Sequence, residues 1–122
     1  MPQKEKLAPP LDTAAGLILT LTALSGEFPT TLVSRLPGGD AYKTKVIKRL
    51  KKDGLLRTYY ADRLRGFRLT ATAKKLLLES WPNQFGPYLT GRTETNMLKS
   101  EPLRRLRLHR MAEVLVTMYN AG

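Results

Sequence analysis

The sequence predicts a mainly α-helical fold carrying one small β-hairpin. Apolar residues recur at helical spacing in several separate segments, and after Gly54 that period gives way to two short aromatic and aliphatic runs of the kind strands have. Glycine and proline fall between the segments, where they close them. With 122 residues, of which 42% are apolar and 25% charged, the chain has the length of one domain and an ordinary globular composition, which argues against global disorder.

Residues 1–11 are rich in proline and lysine and are expected to form a flexible arm. Asp12 or Thr13 caps a first helix whose stripe is Ala14, Leu17, Ile18, Leu21 and Leu24, with Gly26 as its left-handed stop. A short helix starts near Thr30, turns Leu32, Val33 and Leu36 inward, and is closed by Pro37-Gly38-Gly39. Asp40 then caps a third helix that runs to Asp53 and is ended by Gly54. Its buried face is Val46, Ile47 and Leu50. "LLRTYYA" and "GFRLT", separated by "DRLR", read as a hairpin. "ATAKKLLLES" keeps helical spacing through Ala73, Leu76, Leu77 and Trp81, and Trp81 is read as core. Residues 82–100 are punctuated by Pro and Gly and read as a loop or linker, with Phe85 and Tyr88 tacking its first half to the core and "GRTETN" left mobile. Residues 101–122 form a last amphipathic helix, opened at Ser100 or Glu101 before Pro102, with Leu108, Met111, Ala112, Leu115 and Met118 as its apolar face. The ending "MYNAG" carries no stop signal, which is compatible with a piece of a longer chain.

The charge is uneven. Of the net +11, residues 1–40 hold three Lys/Arg against four Asp/Glu, residues 41–75 twelve against two, and residues 76–122 six against four, giving −1, +10 and +2. Nearly all the excess therefore sits in one third of the chain, which points to an anionic partner for that segment. Within it, "YKTKVIKRLKK" packs six basic residues into eleven positions, and Asp53 is the only acid on that helix after its first residue, so pairing at i, i+4 spacing cannot neutralise the face. The absence of cysteine excludes a disulfide framework and thiolate chemistry. No apolar signal segment or membrane-length run is visible, so a cytoplasmic protein is expected. Catalysis is not expected. There is one histidine, no Gly-rich phosphate loop and no metal-ligand spacing, no cofactor is implied, and the ten acids are scattered. His109, set among arginines, reads as a bystander.

The order helix, short helix, turn, basic helix, hairpin, helix resembles the winged helix-turn-helix DNA-binding family. "VIKRLKKDGLL" at 46–56 is similar to that family's recognition-helix ending, and "FRLTATAKKLL" at 67–77 to its second wing strand running into the next helix. The likeness covers about residues 12–80, so that 12–81 would be the winged domain and the C-terminal helix an addition to it. Ala73 stands where the family often has glycine. Lys43 stands at a site that is usually apolar, with Tyr42 available to pack there instead. A basic winged helix followed by "SEPLRRLRLHRMAEV" is also similar to N-terminal modules of replication and relaxation proteins on plasmids and conjugative elements. The resemblance implies a transcriptional regulator or a DNA-binding module of a mobile element, with duplex DNA as partner and a homodimer through the terminal helix as one arrangement.

A major groove admits a helix, and the exposed N-terminal half of the basic helix offers Tyr42, Lys43, Thr44, Lys45 and Lys48 to base edges. Arg49, Lys51 and Lys52 suit backbone phosphate. Arg63 and Arg65 at the hairpin tip suit the minor groove or flanking phosphates, and Thr30, Thr31, Ser34 and Arg35 of the short helix add further phosphate contacts. Of Tyr59 and Tyr60, alternation makes one ordinary hairpin packing. Arg104, Arg105, Arg107 and Arg110 form either a second phosphate-binding patch or the charged flank of a packing helix. Two alternatives to duplex binding remain: an RNA-binding or ribosome-associated module, and a protein-interaction module with an acidic partner.

Overall fold

The structure is a computed structural model that describes residues 8–89 and 102–122. It is mainly helical with a small antiparallel sheet, in the order α1 (Ala14–Ser25), β1 (Phe28–Pro29), a 3-10 helix (Thr30–Arg35), α2 (Asp40–Lys52), β2 (Leu56–Ala61), β3 (Leu64–Leu69), α3 (Ala71–Ser80), α4 (Pro82–Leu89) and α5 (Pro102–Ala121). Among the described residues, no helix is long and apolar enough to cross a membrane.

α1 is the central element, packed against α2, α4, α5 and β3. A one-sided stripe would leave the rest of this helix to water. Instead Gly16, Ile18, Leu19, Leu21, Thr22, Ala23 and Ser25 are all buried. The two hydroxyls are tolerated because Thr22 donates to the Ile18 carbonyl and Ser25 to that of Leu21, both at 2.7 Å. Thr13 caps the helix by accepting from the Gly16 amide, and Gly26 ends it at φ 83°. The arm expected over residues 1–11 is bound at its described end: Ala8 and Leu11 pack on the core, and the Pro10 carbonyl accepts from Thr13.

α2 begins one residue earlier than its charge suggests, with Gly39 at the cap and Asp40 already in the first turn. At its other end Gly54, φ 74°, lets the Leu55 amide return to the Leu50 carbonyl at 2.9 Å and its own amide to that of Lys51. That turn feeds β2 directly. The hairpin pairs Leu56 with Leu69 through Ala61 with Leu64, so the connection is the two-residue turn Asp62-Arg63 rather than four residues, and both have left-handed backbone, φ 53° and 62°. β1 adds a third strand on the far side of β3, and its Pro29 is acceptable because that strand is an edge.

Thr70 caps α3 by accepting from the Ala73 amide, and its hydroxyl donates to the Gly54 carbonyl, tying this helix start to the end of α2. The expected linker begins instead with α4. Pro82 opens it at a position where a missing amide is harmless, and Phe85 and Leu89, one turn apart, are buried. Phe85 meets half-buried Trp81 edge-on, whereas Tyr88 is exposed. The segment read as mobile, "GRTETN", lies outside the described residues. On α5 the inward residues are Arg105, Leu108, Ala112 and Val116, not the stripe through Met111 and Met118. Met118 is 65% exposed, and with Leu103, Met111 and Val114 it forms an apolar strip open to solvent.

Candidate nucleic-acid interface

The exposed lysines of the basic helix and Arg65 of the hairpin stand on one side of the molecule, whereas Arg57 and Arg68 belong to the opposite face of the hairpin. Residues 45, 48 and 52 of α2 are spaced i, i+3 and i+7, which makes one ridge. Lys45, Lys48 and Lys52 along it are exposed, with no acidic partner among the described residues. The flanks differ. Arg49 Nε donates to Asp53 at 3.3 Å, and Lys51 lies over the Phe67 ring, 5.3 Å from its centre. Thr44, Lys48 and Lys51 line one wall of a groove of about 390 Å³ whose other wall is Thr30, Val33 and Ser34 of the 3-10 helix. Lys45 and Arg49 border a second groove on the opposite flank of α2, against Pro9 and Ala15.

Strand alternation places the hairpin charges. Thr58, Tyr60, Arg65 and Phe67 share one face. Since Lys51 of α2 rests on Phe67, Arg65 and Tyr60 are on the side that α2 occupies. Arg65 lies over the Tyr60 ring at 4.9 Å, and Arg63 is exposed in the turn.

Several expected contacts are placed elsewhere. Lys43 is only 2% exposed. Its stem fills an interior site, and its ammonium donates to the carbonyls of Leu36 (2.7 Å) and Val33 (2.9 Å), with Asp40 at 3.4 Å. It closes the end of the 3-10 helix, sharing the Val33 carbonyl with the Leu36 amide, and cannot reach a base. Tyr42 does not supply that packing; it is 58% exposed. Thr44 donates its hydroxyl to the Asp40 carbonyl. Thr31 and Ser34 are exposed, with Ser34 donating to the Thr31 carbonyl. Arg35 is turned to α5, where Nη2 donates to Thr117 while its carbonyl accepts from Asn120.

The second basic patch divides. Arg107 and Arg110 are exposed and Arg104 is half-buried, but Arg105 is fully buried, because Glu27 is waiting for it. Glu27 follows the stop of α1 and is itself inaccessible to solvent. Arg68 Nε donates to its Oε1 at 2.8 Å and Arg105 Nη2 to its Oε2 at 2.9 Å, and His109 Nε2 also contacts Oε2. His109 is therefore no bystander; with Arg105 it sits at i, i+4 spacing on the same inward face. Burial alone pushes the Glu27 carboxyl up, but hydrogen bonds from His109, Arg105 and Arg68 and the charge of Arg105 outweigh it, holding the group at about 2.

Two guanidiniums around one carboxylate leave a positive excess. The Tyr59 ring offsets part of it: the Arg68 and Arg105 guanidinium carbons lie 3.7 and 4.7 Å from its centre. Tyr59 is thus the packing member of the tyrosine pair. Gly66, paired with Tyr59 across the hairpin, gives the carboxylate its room, for a Cβ there would overlap the Glu27 side chain. Among the described residues, no three of His, Asp and Glu gather as metal ligands.

Glu27 was not legible as a site residue, since a lone acid before "FP" has no periodic partner. The i, i+4 spacing of Arg105 and His109 beside Leu108 and Ala112 was the one signal available. No family model, curated protein or solved structure matches this chain.

Proposed function

We propose that the chain is a winged helix-turn-helix that binds duplex DNA, with α2 as recognition helix, the β2–β3 hairpin as wing, and no catalytic activity of its own. Its role would be that of a transcriptional regulator or the DNA-binding module of a mobile element, acting in the cytoplasm. The observation that carries this reading is the ridge of Lys45, Lys48 and Lys52, exposed and unmatched by acids among the described residues, on the side where Arg65 also stands. A ridge of that kind can follow a groove and displace counterions, while exposed Tyr42 and the outer side of Thr44, whose hydroxyl proton goes to the Asp40 carbonyl, stand beside it.

The test is fluorescence anisotropy on random and genomic duplexes across a salt series. Lys45→Glu with Lys48→Glu should weaken binding roughly a hundredfold, about tenfold per site, and flatten the salt slope by about 2. Unchanged affinity in that double variant would reject α2 as the DNA-contacting element. Exposed Tyr60 beside Arg65 favours a second reading, RNA with an unpaired base stacked there. Competition by structured RNA better than by duplex DNA would select it.

A further inference from the structure

We propose that Arg105 of α5 is the positioning residue of the wing, setting where Arg63 and Arg65 stand against the nucleic acid; this rests on the duplex-binding reading above. Ala61 and Leu64 are the last paired residues before the hairpin turn. Arg105 Nη1 donates to the Ala61 carbonyl at 2.6 Å and Nη2 to the Leu64 carbonyl at 2.9 Å, so one guanidinium grips both strands at the root of the turn. Its Nε and Nη2 hold Glu27 at the same time, at 3.1 and 2.9 Å. The planar fork thereby brackets the tip of the hairpin to the end of α1, in the protein interior.

The turn needs such a bracket. β1 reaches along β3 only as far as Gly66, so the outer end of the hairpin is a two-stranded ribbon, which is marginal by itself in water. Asp62 and Arg63 both adopt left-handed backbone, a region that arginine does not favour, so their own preferences do not fix the turn. Outside contact must do it. Arg105 comes from a helix that is far along the chain and carries its exposed arginines elsewhere, so its grip couples α5 to the placement of the wing arginines without touching DNA. Lysine at this position would retain a charge for Glu27 but could not span both carbonyls and the carboxylate.

The experiment is a double-mutant cycle on DNA affinity with the full chain. Arg63→Ala with Arg65→Ala should weaken duplex binding roughly tenfold and lower the salt slope by about 2. Arg105→Lys should lose most of that same factor, speed amide exchange at residues 61–65, and add nothing when combined with the tip pair. Wild-type affinity in Arg105→Lys, or a loss that adds fully to that of the tip pair, overturns the proposal. Should Arg105→Lys not fold, Glu27→Gln with Arg105→Gln, which removes acid and cation together, replaces it under the same criteria. The Lys45→Glu/Lys48→Glu pair separates the two readings. If that pair is silent, duplex binding by α2 fails; if it binds weakly and Arg105→Lys binds normally, only the role of Arg105 fails.

Discussion

Two basic helices in this chain, one led by lysine and one by arginine, look alike as strings and meet opposite fates. α2 turns Lys45, Lys48 and Lys52 out to solvent, while α5 turns Arg105 and His109 in toward a buried acid. The difference lies in what faces each helix. Apart from the Val33 and Leu36 carbonyls, which Lys43 takes, α2 lies over Val33, Phe67 and Leu55, whose side chains offer a cation only a ring face. α5 lies over Glu27, which offers a full charge in a place that water does not reach. A basic run therefore says little about its partner until the opposing surface is known, and here one carboxylate divides structural from available charge.

The largest test of that division removes the carboxylate. Glu27→Ala leaves Arg68 and Arg105 buried without their acid, and should lower unfolding free energy by about 3–5 kcal/mol in urea titrations. Lys45→Glu with Lys48→Glu, on the exposed ridge, should change it by no more than about 0.5 kcal/mol. If both sets of variants proved equally stable, the two helices would not differ as described.

Next in size is pH. The folded Glu27 carboxyl is held at about 2, below its ordinary 4.5. Its contribution is complete above 4.5. Between 4.5 and 2 the unfolded chain takes up a proton that the folded chain does not, so stability falls with pH, by on the order of 3 kcal/mol in all. Glu27→Gln should remove that part of the pH dependence. A slope identical to wild type between pH 5 and 2 would mean that the carboxylate is not held as the geometry indicates.

The smallest effect sharpens the comparison at the hairpin tip. Arg63 has φ 62°, a conformation glycine adopts freely. Arg63→Gly should raise stability by roughly 1 kcal/mol while weakening duplex binding. A rise in stability without loss of affinity would remove Arg63 from the interface and leave Arg65 as the wing's contact.

Periodicity made α1, α2, α3 and the hairpin legible, because each has enough residues for spacing to register. β1 has two residues, too few for alternation to appear. α4 was hidden by its own punctuation: "PNQFGPYL" reads as turns, yet Phe85 and Leu89 bury themselves and packing prevails over weak local preference. On the candidate interface, Lys45, Lys48, Lys52, Arg63 and Arg65 stand exposed as their charge suggested. Lys43 and Arg105 do not: the partners of Lys43 are backbone carbonyls, which leave no mark in a sequence, and the acid that holds Arg105 is 78 residues away. The inward face of α5 was legible at Leu108 and Ala112, but Arg105 and Val116 complete it in place of Met111 and Met118. An arginine looks misplaced there until Glu27 is seen.

Gly66 gives the hairpin a trait of another sort. A strand normally gains from a side chain at every position, and this one forgoes its own so that Glu27, reaching in from the end of α1, can occupy the space. The hairpin is consequently not portable. Moved to a foreign scaffold, residues 56–69 would carry an indentation with no carboxylate to fill it, Arg68 would have no counterion, and no arginine would grip the root of the turn. The unit that could be transplanted is a set of distant pieces, the end of α1, the hairpin and one face of α5, which only the whole fold brings together.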